Sequence, residues 1–414
     1  MNVMKELIDT KVNACVRGEA GYCSIRWEAL GADFDVGQLP NANTSGVGDM
    51  NCKSDYVILP SGSDVTGTLG PSDRFCGSVL NPVQASFFTL LRFVNTPCVG
   101  SNGLEGVCMS DTACSIRGGA SIGSCASGSG VCCLDKMTCG NTTFRNETLF
   151  VNPSFPFYGE DGTNTCQMTI KNINNICQMR LDFLEFNIAQ PDRNGRCTTD
   201  SFIVGSSIGE RYPILCGENS GQHMYIDMGR SRSSNPIVLS VITNGNKMTR
   251  TWRIKISMIR CKSLELAPTG CLQYYQKPSD VVRSFNWGLP TIGNVRYLSN
   301  LRYTVCLRVE ENFCSIKWET ETPESFSWGW PFDEGSMGFV CNNDDFIEIS
   351  QGSPSGLRVG EDRFCGNSLL NRNIIISHVK PFVLRVRSND NSVLNSRASQ
   401  TGFSLIYTQL PCIF

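Results

Sequence analysis

Apolar and polar side chains alternate over residues 252–258, where Trp252, Ile254, Ile256 and Met258 are interleaved with Arg253, Lys255 and Ser257. The same period of two runs through Phe403, Leu405 and Tyr407, set against Ser404 and Thr408, and through residues 181–183, 237–241 and 382–387. Successive side chains of an extended chain point to opposite faces, so each stretch predicts a strand with one buried face. The stretches are short and are separated by Gly, Asn, Pro and Ser, which predicts β-sandwiches of about 110 to 145 residues. Residues 4–9 have helix-like spacing, but they align with Arg296, Tyr297 and Leu298 of a later copy and are read as the remnant of a strand.

Two parts of the chain repeat one another. Cys15-Val16-Arg17, followed by Tyr22-Cys23-Ser24-Ile25-Arg26-Trp27-Glu28, returns as Cys306-Leu307-Arg308, followed by Phe313-Cys314-Ser315-Ile316-Lys317-Trp318-Glu319. Cys52 to Cys76 and Cys341 to Cys365 each span 24 residues, and both second cysteines lie in Asp-Arg-Phe-Cys-Gly, at 73–77 and 362–366. Motifs in one order at one spacing mark copies of a single module. The earlier copy, residues 1–81, lacks the counterparts of Cys271 and Cys412. Between the copies, Cys139, Cys166, Cys177, Cys197, Cys216 and Cys261 form a group with similar order and looser spacing, and Cys216-Gly217 echoes the Cys-Gly of the others. Six more, Cys98, Cys108, Cys114, Cys125, Cys132 and Cys133, crowd into 36 residues rich in Gly and Ser. So short a segment cannot bury a core without crosslinks.

Composition narrows the setting. Twenty-two cysteines among 414 residues predict disulfides formed in an oxidising compartment. No two are spaced Cys-x-x-Cys, which removes the usual chelate loops of zinc ribbons and iron–sulfur sites. Secretion calls for a leader, and residues 1–9 contain no apolar core, so a segment ahead of this sequence is expected. The net charge of −2 leaves no polybasic footprint for nucleic acid or an anionic membrane. No apolar run approaches the ~18 residues of a spanning helix, so no membrane insertion is expected. His223 and His378 are the only histidines, and both lie in apolar strand patterns where a hydrogen-bonded structural imidazole is expected. His-Glu-x-x-His, Gly-Asp-Ser-Gly-Gly and phosphate-loop motifs are all absent from the sequence, and no enzyme is expected.

The order Cys, Cys, Cys-x-x-Asp before an alternating strand, then Cys-Gly, appears at Cys166, at Cys197-Thr198-Thr199-Asp200-Ser201-Phe202-Ile203-Val204 and at Cys216-Gly217, and in part from Cys52 through Asp55 to Leu59. It resembles CUB domains, extracellular jelly-roll sandwiches of two antiparallel sheets. The resemblance implies an all-β chain with a partial CUB copy at 1–81, a linker at 82–97, and CUB domains at 134–262 and 263–414. More narrowly, Arg92-Phe93-Val94-Asn95-Thr96-Pro97-Cys98, Gly118-Gly119 and residues 125–133 resemble arthropod secreted proteins with a clip-like cysteine module, here 98–133, ahead of two CUB domains. By the same resemblance, disulfides join Cys139 to Cys166, Cys177 to Cys261, Cys197 to Cys216, Cys271 to Cys306, Cys314 to Cys412 and Cys341 to Cys365. If the first copy pairs like the last, Cys52 joins Cys76, while Cys15 and Cys23 lose their counterparts. The pairing order within 98–133 stays open.

In CUB domains that bind calcium, the resemblance implies a Glu, the Asp of Cys-x-x-Asp and a later Asp as ligands, within a shell of about six to eight oxygens. The Glu position is Ala189 in the middle module and Val47 in the first, and the later Asp falls near Asn244. Only the last module, with Asp344, Asp345 and Asp390, keeps enough carboxylates for a weak calcium site, and no other cofactor is expected. Asn43, Asn141 and Asn146 satisfy the glycosylation rule. Trp287, Trp328 and Trp330, around Phe326 and Phe332, form either a partner surface or packed core. Together these features predict a secreted, non-enzymatic glycoprotein that binds an extracellular protein or glycan. The alternatives are an accessory or regulator of an extracellular protease cascade, on the strength of the clip-like module, and a structural matrix component.

Overall fold

The computed structural model describes residues 24–27, 34, 36, 45–47, 51–53, 55–62, 72–78 and 88–91, and residues 97–412 apart from 102, 127–129, 158–162, 207–209, 230–235, 246–247, 289–295, 332–333, 343–344, 357–359, 371–372 and 391–399. Expectations for residues 4–9, Cys15, Cys23, Asn43, Phe332 and Asp344 fall outside the described residues. The chain divides into two units, Met1–Asp135 and Lys136–Phe414.

In the first unit, Ser45–Val47, Ser72–Gly77 and Val57–Gly62 form a three-stranded antiparallel sheet. Its register repeats that of Gly335–Met337, Glu361–Gly366 and Phe346–Gly352 in the second unit. Cys76 faces Gly46 as Cys365 faces Ser336, and the same irregularity interrupts both longer pairs, between Ile58 and Gly62 and between Glu348 and Gly352. Cys52 is joined to Cys76 and Cys341 to Cys365. The repeated Cys-Gly has a backbone cause: Gly77, Gly217 and Gly366 have φ of 106°, 79° and 103°, a region where a Cβ is strained.

Part of the span expected as a linker is strand. Phe88–Leu91 pairs antiparallel with Ser24–Trp27, setting Trp27 opposite Phe88 just as the equivalent Trp318 stands opposite Tyr407 in the last strand of the chain. Twelve residues separate Cys76 from Phe88, whereas forty-two separate Cys365 from Tyr407. The first copy thus keeps a closing strand and drops what lies between; the apolar run Phe88-Thr89-Leu90-Leu91 supplies a partner for an edge that would otherwise stay open. Beyond it, Pro97–Val99, Glu105–Met109, Gly130–Leu134 and Ala120–Cys125 form a four-stranded sheet in that order, with one helix, Asp111–Ile116, capped by the Ser110 hydroxyl. Its six cysteines join first to fifth, second to fourth and third to sixth: Cys98–Cys132, Cys108–Cys125 and Cys114–Cys133. Among the described residues Val107, Met109, Cys114 and Cys133 build its core cluster, a small one, so the crosslinks supply order that burial alone does not.

The second unit holds two sandwiches. In the first, the strands Lys136–Met137, Thr148–Val151, Thr251–Arg260, Ile176–Asn187 and His223–Asp227 face the sheet Thr142–Thr143, Asn164–Ile170, Ile237–Thr243 and Ser201–Gly205. In the second, a six-stranded sheet runs Gln273–Tyr275, Arg302–Leu307, Val383–Arg387, Phe346–Gly352, Glu361–Gly366 and Gly335–Met337; a five-stranded sheet runs Ser279–Arg283, Gly402–Pro411, Phe313–Thr320 and Ile374–Ser377, with Phe326–Ser327 on Gly402–Pro411. The ladders are antiparallel except at three short edges, where Lys136–Met137, Thr142–Thr143 and Gln273–Tyr275 run parallel to their neighbours. Trp252, Ile254, Ile256 and Met258 are buried on one face of their strand, as are Phe403, Leu405 and Tyr407 on theirs. Disulfides join Cys139 to Cys166, Cys177 to Cys261 and Cys197 to Cys216 in one sandwich, and Cys271 to Cys306 and Cys314 to Cys412 in the other.

The two sandwiches share a buried seam. Tyr225, Ile259, Ala267, Cys271, Tyr274 and Cys306 form one apolar cluster across it. Polar groups lock the rest. The Tyr225 N–H donates to the Leu272 carbonyl at 2.7 Å, and Gln178 exchanges two side-chain bonds with the Ala267 backbone. Gln222 donates to the carbonyls of Arg283 and Ser284, and Gln273 donates to Gln222. Asn286, fully buried at φ 55°, donates its N–H to Asn219, accepts from the Glu218 N–H, and donates its amide to Gln190 and the Arg296 carbonyl. A Cβ at Gly217 would overlap the Asn286 carboxamide.

Candidate functional site

Asp200 of the Cys-x-x-Asp motif and Asp345 each directly precede a strand, at the end of the sandwich where the resemblance places metal chemistry. In the middle module Asp200 stands just before the strand Ser201–Gly205, 1 % exposed. Arg250, 2 % exposed, closes on it with Nε 2.7 Å from Oδ2 and Nη2 3.0 Å from Oδ1. The residues at the two missing ligand positions bind the same carboxylate through their backbones: the N–H of Ala189 donates to Oδ2 at 2.8 Å and that of Asn244 to Oδ1 at 3.2 Å. A guanidinium thus stands where a bound cation would neutralise the carboxylate. Burying this charge is tolerable because the pair is bidentate and both oxygens are bonded. Nothing local in the sequence marks Arg250; the only signal is the deficit itself, a buried-position Asp whose companion carboxylates are gone.

The last module is arranged differently. Asp345 is 5 % exposed; its Oδ2 accepts the Tyr297 hydroxyl at 2.5 Å and its Oδ1 the Asn389 N–H at 2.6 Å. Tyr297 is stacked on Trp328 at 4.0 Å, and burial, reinforced by the Asp345 carboxylate, pushes its hydroxyl well above the usual range, so it stays a donor. Asp390 is exposed. It turns to Arg196 of the other sandwich, whose Nε lies 2.8 Å from Oδ1, because an exposed carboxylate beside a guanidinium pairs with it. Among the described residues no group of three or more His, Cys, Asp or Glu side chains could hold a metal. In the middle module, a single carboxylate already held by Arg250 does not fit a shell of six to eight oxygens.

His223 lies in the seam with its Nε2 3.2 Å from the Tyr274 N–H and its ring against Tyr275 at 4.8 Å. Burial pulls its imidazole down to about 3, and the Arg180 guanidinium adds to the drop. It is a neutral acceptor at physiological pH, unsuited to moving protons. His378, expected in a buried strand setting, is instead exposed one residue beyond Ile374–Ser377. Of the aromatic group, Phe326 and Trp328 are wholly buried, Trp287 is half-buried under Arg283, and Trp330 is 49 % exposed. Asn141 and Asn146 are exposed, and each uses its side-chain oxygen internally, accepting from Thr138 and Met258.

A family model described as Animal CUB domain matches residues 3–99 and 268–410. The earlier match runs past residue 81 and takes in the strand Phe88–Leu91. No curated protein matches the chain. Among solved structures, the CUB1-EGF-CUB2 domains of rat MASP-1 are 14% identical, covering 66% of this chain and 99% of that one, with a TM-score of 0.24. The MASP-1 CUB2 domain bound to Ca2+ is 18% identical over 29% of this chain and 98% of that one, with a TM-score of 0.24. The full extracellular region of zebrafish Gpr126/Adgrg6 is 10% identical over 65% and 36%, with a TM-score of 0.25.

Two outcomes follow from the buried charges. Arg250→Met leaves Asp200 uncompensated and should cost about 3 to 5 kcal/mol, read by thermal melting of the non-reduced protein, whereas Asp200→Leu/Arg250→Met should recover most of the loss. Millimolar calcium should not restore the single variant; restoration would mean that the loop can build a cation site after all. For His223, the unfolded side chain protonates near pH 6.5 and the folded one only near 3, so the stability it brings is present above pH 6.5 and is lost as pH falls toward 3. The stability gap between the wild type and His223→Gln, followed by thermal melting, should narrow from pH 7 to pH 4, by up to about 1.4 kcal/mol per pH unit. A gap that stays constant would contradict a neutral, buried ring.

Proposed function

The chain belongs to the family of animal CUB domains, and from that premise we propose that it is a secreted, non-enzymatic protein that binds an extracellular protein or glycan without help from calcium. CUB domains typically mediate extracellular binding and are generally non-enzymatic, and the many disulfides fit an oxidising, extracellular setting. No helix among the described residues is long and apolar enough to cross a membrane. The observation that carries the reading is the buried seam. It holds two disulfide-tied sandwiches in one orientation, so their loop ends form a pre-set surface that loses little entropy on binding. Residues 98–133 are proposed as a clip-like module and residues 1–81, extended by the strand Phe88–Leu91, as an abbreviated CUB copy. Asn141 and Asn146 are proposed as glycan attachment sites.

The test is a screen of the full, disulfide-intact chain against arrays of secreted ectodomains and glycans, run in calcium and in EDTA. The reading expects saturable binding to at least one extracellular ligand at equal strength in both. Binding that vanishes in EDTA contradicts the calcium-independent part, and turnover of a substrate contradicts the non-enzymatic part. A ligand that proves to be a protease zymogen would favour the cascade-accessory reading.

A further inference from the structure

The solvent-facing side of the six-stranded sheet carries guanidinium groups side by side. Arg302 and Arg387 stand directly opposite one another in the antiparallel pair, and Phe346 stands opposite Arg387 on the next strand. Two residues along, Arg385 faces Glu348, which faces Arg363. Glu348 is taken by Arg385 at 2.5 Å. Among the described residues the other three guanidinium groups have no carboxylate partner. Arg363 donates to the Asn342 side chain and lies 4.8 Å over the Phe346 ring; Arg387 lies 5.9 Å over the same ring; Arg302 is exposed. The described carboxylates of the adjoining turns are committed elsewhere, Asp345 to Tyr297 and Asn389, and Asp390 to Arg196. Like charges directly opposite on a sheet destabilise it, so the fold gains nothing from Arg302 beside Arg387.

Next to these arginines lies a groove of about 400 Å³, lined by Asn300, Arg302, Asn342, Arg387, Ser388 and Asn389, with Leu301 and Phe346 buried beneath. We propose that this groove binds an anionic sugar, Arg302 and Arg387 clamping its sulfate or carboxylate while the exposed amides of Asn300 and Asn342 bond to its hydroxyls. The proposal rests on the reading of the protein as an extracellular binder and names its ligand class. A forked guanidinium matches a planar or trigonal oxyanion face, and two of them face the solvent here with no carboxylate partner among the described residues. The volume sits at the small end of ligand pockets and suits a short run of sugar rings. The exposed residues of the lining, Asn300, Arg302 and Asn342, all end in polar groups, and no exposed aromatic or aliphatic side chain lines the groove as a peptide hot spot would, which favours a sugar over an acidic peptide.

Binding of the full, disulfide-intact chain to immobilised heparin at rising sodium chloride tests this, with fully desulfated heparin as the carboxylate-only arm and poly-glutamate as a peptide competitor. The wild type should bind saturably, and the arm that binds tells sulfate from carboxylate. Arg302→Ser/Arg387→Ser should bind about tenfold more weakly or worse, with a shallower salt dependence. Arg302→Lys/Arg387→Lys, which keeps charge and removes the fork, should fall between. Arg260→Ser, an exposed arginine of the other sandwich, should bind like the wild type. Equal melting temperatures establish that the variants are folded. Unchanged binding by the double Ser variant overturns the proposal, as does a wild type that binds neither sugar or binds only poly-glutamate. If no anionic sugar binds while an ectodomain does so in EDTA, the groove assignment fails and the general binding reading stands.

Discussion

Asn286 sits at the joint of the two sandwiches of residues 136–414 with every polar group of its side chain and its backbone N–H bonded, mostly to the other sandwich. Around it, Gln222, Gln273, Gln178 and His223 bond across the same boundary, and Tyr225, Ile259 and Tyr274 exclude water beside them. Each bond adds only about 0.5 to 1.5 kcal/mol net, but each group left buried and unbonded by a shifted orientation would cost about 1 to 3 kcal/mol. The penalty for misalignment is therefore steeper than the gain from association. The seam specifies one orientation more strongly than it glues, and a pre-set surface depends on that specification.

The same logic separates the two modules at their loop ends. Each buries the aspartate that directly precedes a strand, Asp200 or Asp345, and a carboxylate without water needs donors or a counter-charge. One module meets the need with Arg250 and two backbone N–H groups, the other with a tyrosine hydroxyl and one backbone N–H. The Arg250 solution holds its loop shut with a covalently attached cation, so the shape of that end does not depend on an ion in the medium.

The strands of the sandwich cores were legible where one face is buried, because alternation at 252–258 and 403–407 is the direct imprint of that burial. The repeated Asp-Arg-Phe-Cys-Gly carried over into identical register, since a strand position, a disulfide and a positive-φ glycine constrain those five residues together. The strand Phe88–Leu91 was less legible: no cysteine marks it, and its distance from Cys76 differs from that in the full copy. The cysteine groups are even in number, yet six cysteines allow 15 pairings, so position alone leaves the partners open. Arg250 and Asn286 left no local imprint, because their partners lie 50 and 67 residues away in sequence and only the folded chain brings them together. Arg302 and Arg387 read as ordinary exposed strand positions until the register sets them face to face.

If the seam makes two sandwiches one body, its hydrogen bonds should open only when the whole unit unfolds. Native-state amide hydrogen exchange of the full, non-reduced chain tests this at Tyr225, Tyr274 and Asn286, whose N–H groups donate across the boundary, against in-sheet amides such as Met179 and Leu384. The account predicts seam amides protected to within about 1 kcal/mol of the in-sheet ones, all rising together with stability. Seam amides that exchange through a separate opening, several kcal/mol below the sheets, would show that the sandwiches part freely and that no fixed surface exists.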